Sequence, residues 1–149
     1  MDYAFGQKDI TSGSFATMGA AIPMAIGASC YDKDAQIIVV TGDGSLELNI
    51  QELKTVSQNN LNIKIFVINN GGYASIRESQ DEYSEGRYTE DEDILDFSKV
   101  ANAFEMNYEI IDDYLTIDEQ INKVTSNSNP TLIEVVCERD QKIFGPEVI

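Results

Sequence analysis

Two apolar runs, each closed by a glycine-rich loop and joined by one amphipathic segment, constrain this chain more than any other feature. The first, Gln36-Ile-Ile-Val-Val-Thr41, runs into Gly42-Asp43-Gly44-Ser45. The second, Ile63 to Ile68, is apolar apart from Lys64 and ends in Asn69-Asn70-Gly71-Gly72. A strand with one wet face alternates polar and apolar residues, whereas a strand apolar throughout belongs in a parallel sheet covered on both sides. The first run therefore reads as a central strand. Between the two, Leu46, Ile50, Leu53 and Val56 recur at helical spacing, and Asn59-Asn60 ends the segment. Strand, helix and strand over Gln36–Ile68 fit a right-handed βαβ unit. Ligands in such sheets bind beyond the carboxyl ends of strands, at a switch point, and both glycine-rich loops fall at carboxyl ends.

The rest of the chain continues the alternation. Residues 1–14 read as an approach loop. A helix rich in small residues follows over Ala20–Tyr31, with Pro23 in its first turn, where a missing N–H does no harm. Asp32-Lys33-Asp34 is a turn. A short helix is expected from Ala74 to about Gln80, and an acidic surface loop over Asp81–Asp93. The segment Ile94–Phe104 carries a helical stripe of Leu95 or Phe97, Val100, Ala101 and Phe104. Tyr108–Ile111 is a short strand. Thr116 is expected to cap a helix over Ile117–Thr125, with Ile117, Ile121 and Val124 as its stripe. Asn127-Ser-Asn-Pro130 breaks the chain, Thr131–Cys137 is the last strand, and an irregular tail follows Glu138. The expected fold is α/β, a mostly parallel sheet with helices on both faces, and 149 residues fit one domain.

Charge excludes several functions. With 10 Lys+Arg against 26 Asp+Glu, the net charge of −16 leaves no basic footprint for nucleic acid or for an anionic membrane surface. The absence of His removes His-based triads and His-ligated metals. Cys30 and Cys137 are the only cysteines; far apart and in apolar contexts, they read as small core residues in a reducing compartment rather than a disulfide. No apolar run approaches the roughly 18 residues of a membrane span, and no signal-peptide pattern opens the chain. The expected compartment is the cytoplasm.

What remains is the chemistry of the two strand ends. Asp43 offers a hard oxygen between two glycines, and Asn70 adds a neutral carbonyl oxygen. Oxygen donors suit Mg²⁺ or Ca²⁺, and Mg²⁺ commonly takes one or two protein ligands together with phosphate oxygens and water. Gly44 and Ser45 present backbone N–H groups at a helix start, a natural phosphate site. The bland alternative is a tight strand-to-helix turn with Asp43 as its cap. A dinucleotide-binding Rossmann domain is disfavoured, because no G-x-G-x-x-G follows any strand.

Gly42-Asp-Gly with Asn69-Asn70 resembles the cofactor motif of thiamine diphosphate-dependent enzymes. The segment Ala16-Thr-Met-Gly-Ala-Ala-Ile-Pro-Met-Ala-Ile-Gly-Ala28 is similar to the one preceding that motif in the acetolactate synthase group. Ser45–Leu53, Asn60–Phe66, Asn69–Arg77 and Gly86-Arg-Tyr88 are similar to that group as well. The resemblance implies that Asp43, Asn70 and the Gly72 carbonyl coordinate Mg²⁺. It implies that Gly44 and Ser45 donate to the diphosphate, with Asn70, Gly72 and Tyr73 completing the cofactor-binding set. Met18 matches the bulky residue that props the cofactor in its bent shape. Ala16 matches a position, usually glycine, whose carbonyl accepts from the 4′-amino group. Ser75 and Ser79 stand where acetolactate synthases often carry methionine and tryptophan, which turns attention to relatives acting on other 2-oxo acids.

The same resemblance implies a division of labour. The residue that activates the cofactor is a glutamate on a separate pyrimidine-binding module, so no catalytic residue is assigned in this chain. Residues 1–149 read as the diphosphate-anchoring module, either a fragment of a longer chain or one subunit of a split enzyme. The complete enzyme would decarboxylate a small 2-oxo acid and pass the resulting carbon nucleophile to a proton or a carbonyl acceptor, as a homodimer or higher oligomer. A non-catalytic cofactor-binding domain is the alternative.

Overall fold

The computed structural model describes residues 6–89 and 94–139. The strands form where apolar and β-branched residues cluster: β1 (Ile37–Gly42), β2 (Ile63–Asn69, with Lys64), β3 (Asn107–Ile111, with Glu109) and β4 (Thr131–Val136, with Glu134). They make one sheet in the order β1-β2-β4-β3, and every pairing is parallel. Ile65 on β2 sits between Val39 on β1 and Leu132 on β4. The chain is thus α/β, as the alternation of strand and helix requires.

Helices lie on both faces. Against one pack α1 (Ala21–Tyr31), α2 (Asp43–Glu47), α3 (Glu52–Gln58) and α5 (Phe97–Ala103). Their core holds Ile22, Leu46, Leu53, Val56, Ile65, Val67, Phe97 and Leu132. Each such side chain contributes about 1.5–3 kcal/mol on leaving water. The other face is covered by α6 (Ile117–Thr125), where Val124 packs with Phe66, Ile111 and Ile133. At the base of that face Lys64 is fully buried; its ammonium donates to Asn127 Oδ1 and to the Asn129 carbonyl. Burial pushes the Lys64 pKa down from the usual lysine range. The hydrogen bonds place a cation near the carboxyl end of α6, where the helix dipole favours it.

Several expectations are corrected. Among the described strands β1 is an edge strand, not a central one. Its outward side chains Ile38 and Val40 are 49% and 65% exposed. The helix expected from Leu46 to Val56 is two helices, interrupted by turns at residues 48–51. Residues 81–83 continue α4 (Ala74–Tyr83) instead of joining the acidic loop. The helix expected over Ile94–Phe104 is confined to α5, and its stripe uses Phe97, since Leu95 is exposed.

Thr116 makes no side-chain cap on α6. Its hydroxyl donates to the Asp113 carbonyl, and Asp113 caps the preceding 3₁₀ turn, Tyr114–Thr116. On α6 itself Val124 is buried while Ile121 is exposed. Cys30 is exposed rather than in the core, and both cysteines are free thiols. Residues 1–5 of the approach loop, 90–93 of the acidic loop and 140–149 of the tail lie outside the described residues. No described helix is long and apolar enough to cross a membrane.

Candidate functional site

The parallel register brings the carboxyl ends of β1, β2 and β4 together: Gly42 lies beside Ile68, and Asn69 beside Val136. The order of the described strands reverses between β3 and β4, so the two glycine-rich loops sit at the carboxyl edge but not at that reversal. Gly42 is extended and α2 begins at Asp43. That sharp change of direction buries the Asp43 side chain, which is 2% exposed.

Asp43 joins the two loops. Its Oδ1 accepts the Gly44 N–H at 2.8 Å, and its Oδ2 accepts the Gly72 N–H at 2.9 Å. Among the described residues no lysine or arginine forms an ion pair with it. A buried carboxylate is costly without a compensating cation, and two neutral N–H donors offset only part of the cost. In the second loop, two residues before the Gly72 N–H that Asp43 accepts, Asn70 Oδ1 is buried with no hydrogen-bond partner among the described residues. An orphaned amide oxygen near an unneutralised carboxylate is a donor set that a hard divalent cation would satisfy. No group of three or more His, Cys, Asp or Glu residues suited to a metal occurs among the described residues. A cation completed by a backbone carbonyl and phosphate oxygens does not require one.

The Gly72 carbonyl accepts from Ala74 N–H at 2.9 Å and retains a second lone pair. The Tyr73 ring packs against Gly44: a Cβ added there would come within 2.7 Å of Tyr73 Cδ1. Gly44 therefore has to be glycine for spatial reasons. Its N–H is already engaged by Asp43 Oδ1, so a diphosphate oxygen would share or take over that bond. Because α2 is a five-residue turn, individual N–H groups, not a long helix dipole, are what it offers an anion. Ser45 Oγ accepts the Gly19 N–H at 2.9 Å. This ties the loop holding Ala16 and Met18 to the acidic strand end. Ala16 is left-handed, with φ 44°, a conformation that glycine takes without strain. Met18 is 42% exposed. Ser75 and Ser79 are both exposed on α4.

Sequence reasoning missed the supports of the second loop. Arg77, 2% exposed, donates to the carbonyls of Gly71, Asn70 and Arg139. Arg139 donates to the Gly71 carbonyl as well. On the far side Tyr108 OH donates to Glu134 Oε2 at 2.6 Å and Asn69 Nδ2 to Glu134 Oε1 at 2.7 Å. Asn69 Oδ1 in turn accepts the Gly71 N–H. Burial and the Glu134 carboxylate raise the Tyr108 pKa well above the usual phenol value. Asn49, also missed, donates from Nδ2 to the Gly19 carbonyl at 2.9 Å. Its spacing of four from Ser45 was the one signal available, since residues so spaced on a helix share a face.

Comparison with known proteins identifies a family. A family described as thiamine pyrophosphate enzyme, C-terminal TPP binding domain, matches residues 2–135. The mitochondrial acetolactate synthase catalytic subunit of Aspergillus candidus is 32% identical over 131 residues, which cover 87% of this chain and 19% of that protein. The large subunit of Lactococcus lactis acetolactate synthase is 30% identical over 146 residues, covering 95% of this chain and 25% of that protein. The isozyme 1 large subunit of Escherichia coli is 29% identical over 137 residues, covering 91% and 24%. The chain thus spans between 19% and 25% of the length of these curated relatives.

Proposed function

This chain belongs to the family of thiamine pyrophosphate enzyme C-terminal TPP-binding domains, and from that premise we propose that it anchors the cofactor's diphosphate through Mg²⁺ at the joined ends of β1 and β2. Asp43 and Asn70 supply side-chain oxygens to the metal and Gly72 its carbonyl. Gly44 and Ser45 donate to the diphosphate, and Tyr73 walls the site against Gly44. Met18 and the Ala16 carbonyl serve the pyrimidine end. The observation that carries the metal is the pair formed by a buried, unneutralised Asp43 carboxylate and an orphaned Asn70 oxygen.

Bound thiamine diphosphate supplies the electron sink for decarboxylating a 2-oxo acid; the protein holds and orients it. This chain's residues bind the inert end, keep water from the buried carboxylate and set the height of the pyrimidine loop. The proton-moving glutamate comes from a pyrimidine-binding module in the same or another chain. The whole enzyme is a decarboxylase or carboligase related to acetolactate synthase, acting as a homodimer or larger oligomer in the cytoplasm. Residues 1–149 are its diphosphate-anchoring module. Small polar Ser75 and Ser79 favour an acceptor or donor different from that of the branched-chain enzymes.

The test is release of CO₂ from pyruvate and other small 2-oxo acids, measured with this chain alone and with a pyrimidine module supplied. The reading expects turnover only in the second case. Turnover by the 149-residue chain alone would contradict the division of labour.

A further inference from the structure

We propose that Asn49 is a positioning residue: together with Ser45 it clamps Gly19 and so sets the Ala16–Met18 loop at a fixed height above the diphosphate anchor. The inference rests on the thiamine diphosphate reading and assigns a residue that the reading leaves out.

Both peptide planes flanking Gly19 are held from α2 and the turn after it. The Gly19 N–H donates to Ser45 Oγ at 2.9 Å, and the Gly19 carbonyl accepts from Asn49 Nδ2 at 2.9 Å. These contacts bridge 26 and 30 residues of chain. The Asn49 amide is itself oriented, because Gln51 Nε2 donates to its Oδ1 at 3.0 Å. Gly19 is buried, has φ +79°, and a Cβ there would meet Asn49 Nδ2 at 2.9 Å and Leu48 Cβ at 3.0 Å. Conformation and space both demand glycine where the clamp closes.

Among the described residues, the other hydrogen bonds of the loop are local: Ala16 N–H to the Gly13 carbonyl, Thr17 N–H to Ser12 Oγ, and Ala20 N–H to the Thr17 carbonyl. The clamp therefore supplies the loop's long-range hydrogen bonds. It also fixes the Ser45 hydroxyl: with Oγ accepting from Gly19, its one O–H is left to donate elsewhere, toward an anion held by the neighbouring residues. One side chain, two residues beyond Asp43, thus registers the pyrimidine loop against the metal end.

The clamp separates two ligands. Inorganic pyrophosphate with Mg²⁺ needs only the anchor, whereas thiamine diphosphate with Mg²⁺ needs the anchor and the loop. In the complete protein, calorimetry on Asn49→Ala is expected to show thiamine diphosphate affinity weakened about tenfold, the loss of one well-made hydrogen bond, with pyrophosphate affinity unchanged. Amide exchange at Gly19 should accelerate in the same variant. Asn49→Leu keeps the side-chain shape and removes the donor, so it reads the same contrast if the alanine variant does not fold. Equal weakening of both ligands, or of neither, would overturn the positioning role. Wild-type protein that binds neither ligand would overturn the thiamine diphosphate reading instead, and Gly19 exchange would still judge the clamp.

Discussion

The Asp43 carboxylate accepts the backbone N–H of Gly72 at 2.9 Å, so the loop after β1 and the loop after β2 meet through one oxygen. Twenty-nine residues separate them in the chain, and the parallel pairing of β1 with β2 removes that distance. Everything proposed for the site depends on this meeting.

Gly44 and Tyr73 are the second contact between the same loops. Gly44→Ala would drive its methyl into the Tyr73 ring, and overpacking of this kind costs about 1–3 kcal/mol. Denaturant unfolding should show that loss. The double variant with Tyr73→Ala should recover most of it, as residues in direct contact couple non-additively.

Ala16 carries strain that can be relieved. Its left-handed φ of 44° disfavours a side chain, and Ala16→Gly is expected to stabilise the chain by about 1 kcal/mol after the added unfolded-state entropy is subtracted. A rise in melting temperature of about 3 °C would match that figure. An unchanged or lower value would show that the loop is held in this shape at no cost.

Arg77 holds three carbonyls, of which that of Gly71 is shared with Arg139. Arg77→Met leaves them buried without the guanidinium, and the expected loss is about 2–4 kcal/mol. Arg77→Lys should recover little, because an ammonium cannot match a planar fork. Mg²⁺-dependent cofactor binding should weaken in both variants, since the loop bearing Asn70 loses its support.

Tyr108 makes stability depend on alkaline pH. Its folded pKa is raised by burial and by Glu134, so above the ordinary value of 10.0 the unfolded chain releases the proton while the folded chain keeps it. The contribution is fully present below that value and is lost as pH rises toward the elevated one. Melting temperatures across pH 9–11 should therefore fall more steeply for the wild type than for Tyr108→Phe.

How much of this was legible in the sequence follows from what each signal reports. Apolar runs, the second broken by Lys64, marked β1 and β2, and a glycine-flanked acid and an amide before two glycines marked the candidate site at their ends. Both signals are local. Periodicity cannot report strand order, so β1 read as central although its outward face, Ile38 and Val40, is exposed. Asn49, Arg77 and Glu134 act on residues outside their own elements. Glu134 reaches Asn69 across 65 residues, and only the folded sheet brings them together. The Thr116 cap failed because a closer competitor, the Asp113 carbonyl, takes its hydroxyl.

The central claim is that Asp43 and Asn70 hold the metal that binds the diphosphate. Isothermal calorimetry of thiamine diphosphate binding to the complete protein, with and without Mg²⁺, tests it most directly in wild type, Asp43→Ala and Asn70→Ala. Binding is expected to be Mg²⁺-dependent in wild type, absent in Asp43→Ala, and weakened at least about tenfold, some 1.4 kcal/mol, in Asn70→Ala. Unchanged cofactor affinity in Asp43→Ala would contradict it.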